Sequence, residues 1–133
     1  MSFLEFLLGK KRKRFRLGLP RQDKVIVQQK WAEIQELIKL GGPSRFKTAI
    51  LEADKLLNFV LEKMGYQGNL GEKLKMAKDK FIDGSDYSIY NEIWEAHKCR
   101  NRIVHEVEYT PLSHEAHDVV RKYEKGLRKL GVL

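Results

Sequence analysis

The chain has 133 residues, 42% of them hydrophobic, and a formal net charge of +8. That size and apolar content suit one domain with a core of its own, and the single cysteine, Cys99, excludes an internal disulfide. Residues 1–21 hold seven Lys/Arg and one Glu, a net +6, whereas residues 22–133 hold nineteen Lys/Arg and seventeen Asp/Glu, a net +2; the basicity belongs to the amino-terminal segment, not to a nucleic-acid-coating domain surface.

Residues 1–21 read as an appended tail. Phe3, Leu4, Phe6, Leu7 and Leu8 form a short apolar start, well below the roughly 18–20 residues of a membrane-spanning helix. Six cations follow within seven residues, Lys10, Lys11, Arg12, Lys13, Arg14 and Arg16, a charged arm suited to RNA phosphates or to the surface of an anionic membrane. The order of residues lacks the charged, apolar, small-residue succession of a secretory signal, so the expected location is cytoplasmic, with peripheral membrane contact through the tail. Gly18 and Pro20 punctuate the passage into a domain at 22–133.

In that domain the apolar residues recur at helical spacing. Val27, Trp31, Ile34 and Ile38 mark a first helix over 23–40, closed by Gly41, Gly42 and Pro43. Ser44 is the expected cap of a second, over 44–64, with Phe46, Ile50, Ala53, Leu57, Leu61 and Met64 inward and Gly65 as the stop. Asn69 is placed to cap a third over 70–81, on which Leu70, Leu74, Ala77 and Phe81 align, and Asp83-Gly84-Ser85 is turn chemistry. A fourth helix is expected to open near Asp86 and to carry Ile89, Ile93, Ala96, Ile103 and Val107 at core spacing. Thr110 and Pro111 then break the chain before a fifth, capped by Ser113, with Ala116, Val119, Val120, Tyr123, Leu127 and Leu130 inward. No segment sustains period-two alternation. The fold class expected is all-α, an antiparallel bundle of four to five helices, because short connections make sequential helices neighbours.

The fourth helix carries the chemistry. In HKCRNRIVHE, residues 97–106, His97, Asn101 and His105 share a row by their spacing of four, and Arg100 lies beside it on the apolar line between Ala96 and Ile103. An arginine on that line is costly unless paired or placed at an interface; Glu52 or Asp54 of the second helix, if it faces Arg100, would orient the guanidinium. Arg100 and His105 stand about 140° apart and roughly 7.5 Å along the axis, so one protomer alone does not bring them together.

RNRIVH, Arg100 to His105, resembles the motif of the HEPN superfamily: an arginine, four residues and a histidine, with asparagine directly after the arginine. The position fits as well, late in a long helix with one helix still to come. The resemblance covers roughly residues 22–130. It implies a HEPN-like helical bundle acting as a metal-independent endoribonuclease, with no cofactor, in which two copies of the motif meet across a homodimer. His105 would be the acid/base, its imidazole titrating near neutral pH. Arg100 would bind the phosphate and offset its developing charge, and Asn101 would orient the histidine or bond the phosphate. Arg102 and His97 would be RNA-contacting neighbours. HEPN toxins paired with nucleotidyltransferase antitoxins carry a tyrosine two residues after the histidine; here that position is Val107, with Tyr109 two further on, so regulation by modification of that tyrosine is not expected, and the sequence names no antitoxin. The alternative is a non-catalytic HEPN-type module that binds RNA or protein, tethered by its tail.

The remaining candidates read as structural. His114 and His117 with Cys99 lack the close, clustered spacing of zinc ligands, so no metal site is expected. Cys99 suits a small buried filler. Trp31 and Trp94 suit core or dimer-interface anchors.

Overall fold

The structure, a computed structural model, describes residues 18–133. Five α-helices, α1 (Arg21–Leu40), α2 (Pro43–Lys63), α3 (Leu70–Met76), α4 (Ser88–His105) and α5 (Ser113–Lys129), and one 3-10 turn (Lys78–Lys80) make up the domain. Among the described residues there is no strand, only an isolated bridge between Asp83 and Asp86. None of these helices is long and apolar enough to cross a membrane.

The link between α1 and α2 is two glycines. Gly41 and Gly42 have φ of 72° and 98°, a backbone region that side chains with a Cβ disfavour. Pro43, whose ring presets a helical φ, then opens α2 from its first position. Ser44, expected as the cap, lies inside the helix; its carbonyl accepts the Thr48 hydroxyl at 3.0 Å. Asn69 does cap α3. Its side chain accepts the Glu72 amide at 2.9 Å while the Glu72 carboxylate accepts the Asn69 amide at 3.0 Å, a reciprocal capping box.

Three other boundaries differ from expectation. The third helix stops at Met76 and tightens into the 3-10 turn, which brings Phe81 back into the core, its ring 6.4 Å from that of Tyr90. At the next start, the Asp86 carboxylate takes the Ser88 amide at 3.0 Å, so α4 begins two residues later than the aspartate. Ser113 is the first residue of α5 and not its cap; the amide of Leu112 is taken by the Glu115 carboxylate at 3.2 Å.

α2 lies at the centre. Ala49, Ile50, Ala53, Leu57, Val60 and Leu61 have no exposed surface and pack among Val27, Trp31 and Ile34 of α1, Ile93 and Ala96 of α4, and Val120, Tyr123 and Leu127 of α5 in one core. Pairs of contacts give the directions. Phe46 meets His117 and Asp54 meets Tyr123, residue numbers rising together, so α2 and α5 run parallel. Lys122 pairs with Glu95 and Lys125 with Glu92, numbers running opposite ways, so α4 and α5 are antiparallel. Gly126 of α5 lets α4 come close: a Cβ there would stand 2.7 Å from Ile93 Cδ1.

Val107, expected on the core line of the fourth helix, is 92% exposed. The helix ends at His105, and Glu106 is extended, with φ −112° and ψ 105°. Tyr109 folds back beneath Arg102, whose guanidinium carbon stands 3.8 Å above the ring centroid. The chain turns away from the helix axis there, and Val107 stands in solvent.

Candidate functional site

Asp54 is the hub of the site. It is only 4% exposed, yet it stands on the inward row of α2 with Ile50, Leu57 and Leu61, where a carboxylate needs partners to be tolerated. Three side chains supply them. Tyr123 of α5 donates its hydroxyl to Oδ2 at 2.6 Å, His97 of α4 stands with Nδ1 at 2.8 Å from the same oxygen, and the Arg100 Nε is 3.4 Å from Oδ1. Burial, the Asp54 charge and this hydrogen bond push the Tyr123 hydroxyl well above its ordinary value; the tyrosine stays a donor.

Arg100 is thereby held from behind. Its Nε faces Asp54, its Nη1 donates to Asn101 Oδ1 at 2.9 Å, and the side chain is 36% exposed. Aligning the fork through one edge in this way leaves the rest of the guanidinium for an anion. The expectation that a second-helix carboxylate would orient Arg100 is met by Asp54; Glu52, two residues earlier, lies nearby on the lip of the same groove.

The groove measures about 710 Å³ and runs between α2, the start of α3 and α4. His97, Arg100 and Asn101 form one wall, Asp54, Lys55 and Asn58 the other, and Gly68, Asn69 and Gly71 one end. His105 does not line it. The imidazole is exposed on the last turn of α4, with no hydrogen bond or ion pair to any described residue. So the protomer gathers Arg100, Asn101 and His97 and leaves His105 outside their groove. Next to it Val104 is 51% exposed.

No family model, curated protein or solved structure matches the chain.

The other candidates divide clearly. Arg102 is on a different face, paired with Glu106 at 2.7 Å and stacked on Tyr109. Lys10, Lys11, Arg12, Lys13, Arg14 and Arg16 lie outside the described residues. Cys99 is half-buried, its thiol pushed up chiefly by burial and 3.6 Å from the Tyr109 hydroxyl. Among the described residues no three His, Cys, Asp or Glu side chains are disposed to hold a metal ion. Trp31 is buried and donates to Glu124 at 3.3 Å, while Trp94 packs edge-on to His97 at 5.9 Å.

Three contributors escaped the sequence reading. Tyr123 was expected only as a core residue and His97 only as a neighbour in contact with RNA, and Lys73 was not singled out at all. Lys73 is 3% exposed, with its ammonium on Asn58 Oδ1 at 2.9 Å and Glu62 at 3.5 Å. A signal does exist for one of them: His97 falls four after Ile93, a polar residue on an inward row, as Asp54 falls four after Ile50.

Proposed function

We propose that the domain is a HEPN-like metal-independent endoribonuclease, active as a homodimer through Arg100, Asn101 and His105. The observation that carries the reading is the pinned guanidinium. An arginine on the apolar line of α4 is fixed by a buried carboxylate while over a third of its side chain stays open at the mouth of a groove. A structural arginine would gain nothing from that openness, whereas a phosphate ligand needs it.

The chemistry follows from the two side-chain types. The ribose 2′-oxygen forms a bond to phosphorus as the bond from phosphorus to the 5′-oxygen breaks, leaving a 2′,3′-cyclic phosphate. One imidazole accepts the 2′-hydroxyl proton and the second copy's imidazole returns a proton to the leaving 5′-oxygen. Arg100 offsets the charge that grows on the non-bridging oxygens. His105 does not line its own protomer's groove, so in this reading the second copy brings the imidazole to Arg100, with the exposed Val104 as an apolar surface for that contact.

Incubation of the full chain with single-stranded RNA in EDTA tests the proposal. Cleavage to cyclic-phosphate ends, lost by a factor of about 10² or more in His105→Ala and in Arg100→Ala, is the expected result. Undiminished cleavage in both variants overturns the assignment.

The same exposure of His105 favours a second reading, a non-catalytic HEPN-type module that binds RNA through its tail. It predicts no cleavage, and a salt dependence of RNA binding that falls by about 4 logarithmic units per decade of salt when residues 1–21, with their six clustered cations, are removed.

A further inference from the structure

The groove beside Arg100 has an unusual property. Three carboxamides line it, Asn58, Asn69 and Asn101, and each has its oxygen committed to a partner that can only donate. The Lys73 ammonium holds Asn58 Oδ1, the Glu72 amide holds Asn69 Oδ1, and Arg100 Nη1 holds Asn101 Oδ1, all at 2.9 Å. A pure donor fixes which end of an amide faces it. All three therefore turn their NH2 ends the other way, and those nitrogens have no further partner among the described residues.

They are also reachable, since among the described residues no buried side-chain nitrogen or oxygen lacks a hydrogen bond. The Arg100 fork and the exposed Lys55 add positive donors to the same space. His97 lines the same space, with Nδ1 2.8 Å from Asp54 Oδ2. The groove thus brings carboxamide, guanidinium and ammonium donors together, with the Glu52 carboxylate at its lip, in a volume of about 710 Å³, within the range of small-ligand sites.

We propose that this groove is a nucleotide subsite in each protomer, taking the phosphate at Arg100 and Asn101 and the carbonyl edge of a base such as uracil at Asn58 and Asn69. The inference rests on the reading of Arg100 as the phosphate ligand. Uracil presents two carbonyl acceptors where adenine presents an amino donor, so the carboxamide nitrogens meet acceptors in one and repulsion in the other.

Asparagine-to-aspartate changes test this without removing the internal bonds. Asn58→Asp keeps an oxygen for Lys73, and Asn69→Asp keeps a good helix cap; each replaces an NH2 donor with a negative oxygen. Uridine 3′-monophosphate is titrated into the full chain, with the carboxamide NH2 signals followed by NMR and the fold of each variant checked by thermal melting. The expected result is movement of the Asn58, Asn69 and Asn101 signals, and binding weaker by about 10-fold or more in each aspartate variant. Adenosine 3′-monophosphate is expected to bind more weakly than the uridine nucleotide.

Unchanged affinity in either folded variant overturns the subsite, as does affinity for inorganic phosphate equal to that for the nucleotide. The cleavage assay in EDTA separates this inference from the proposed activity. Full cleavage by both aspartate variants, with affinity intact and the Arg100→Ala protein inactive, removes the subsite and keeps the nuclease. Asparagine-sensitive nucleotide binding by a chain that cleaves no RNA keeps the subsite and removes the nuclease.

Discussion

Tyr123 donates its hydroxyl to Asp54 at 2.6 Å, joining two helices whose residues are 69 positions apart. The tyrosine has no exposed surface and the aspartate almost none. Their bond links the orientation of Arg100 to the packing of α2 against α5, so the candidate site is built from the same contacts that hold the bundle together.

Removing either partner should therefore destabilise, by different amounts. Asp54→Ala leaves a buried phenol, an imidazole and a guanidinium without their acceptor, a loss of about 3–5 kcal/mol. Tyr123→Phe removes one donor and leaves His97 and Arg100 on the carboxylate, a loss of about 1–2 kcal/mol. Urea denaturation should place the midpoints in the order wild type, Tyr123→Phe, Asp54→Ala, and equal midpoints for the two variants would contradict the hub.

Alkaline pH should weaken the fold through the same residue. The Tyr123 hydroxyl is held well above the ordinary 10.0 by burial first and by Asp54 second. Above pH 10 the unfolded chain releases this proton while the folded chain keeps it. The stabilisation is whole below that pH and is lost as pH rises toward the folded value, with a slope of about 1.4 kcal/mol per pH unit for one proton. Denaturation of wild type and Tyr123→Phe between pH 9 and 12 should give curves that converge as pH rises; a constant gap would contradict the shift.

Gly126 offers a test of packing between α4 and α5. A Cβ there would lie 2.7 Å from Ile93 Cδ1 and 3.0 Å from Cγ1. Alanine gains about 1 kcal/mol in helix propensity, but overpacking of a tight contact costs about 1–3 kcal/mol, so Gly126→Ala should melt lower than wild type. Ile93→Val removes Cδ1, the nearest atom, and should restore part of the loss in the double variant while destabilising wild type by about 0.5–1.5 kcal/mol. Additive effects of the two changes would refute the clash.

Cys99 should be a quiet thiol. Burial raises its proton affinity, partly countered by the Tyr109 hydroxyl. With little thiolate at pH 8, Ellman's reagent should react at least roughly 10-fold more slowly with the native chain than with the same chain in urea. Equal rates would show that the thiol is already exposed and ionised in the native state.

The helices were legible because their apolar spacing is regular, and Arg100 was legible as an anomaly on an apolar row that demanded a counter-ion. The sequence narrowed that counter-ion to Glu52 or Asp54, and the structure chose Asp54. What periodicity could not reveal was set by contacts between distant segments. Tyr123 looks like any core aromatic until its hydroxyl is seen on Asp54, and Val107 continues the α4 pattern although the chain has already turned away from the helix axis. The caps at Ser44 and Ser113 failed for a local reason: Pro43 and Leu112 stand one residue before them, and the backbone enters each helix there.

Asp54 and His105 differ in how freely each can be changed. The aspartate is wedged among three helices, and a lineage that replaced it would forfeit the fold along with any activity. The histidine is exposed and makes no side-chain hydrogen bond or ion pair with a described residue, so it can drift to another residue at little structural expense. Descendants that have given up chemistry should then keep Asp54, His97 and Tyr123 intact while the end of α4 varies.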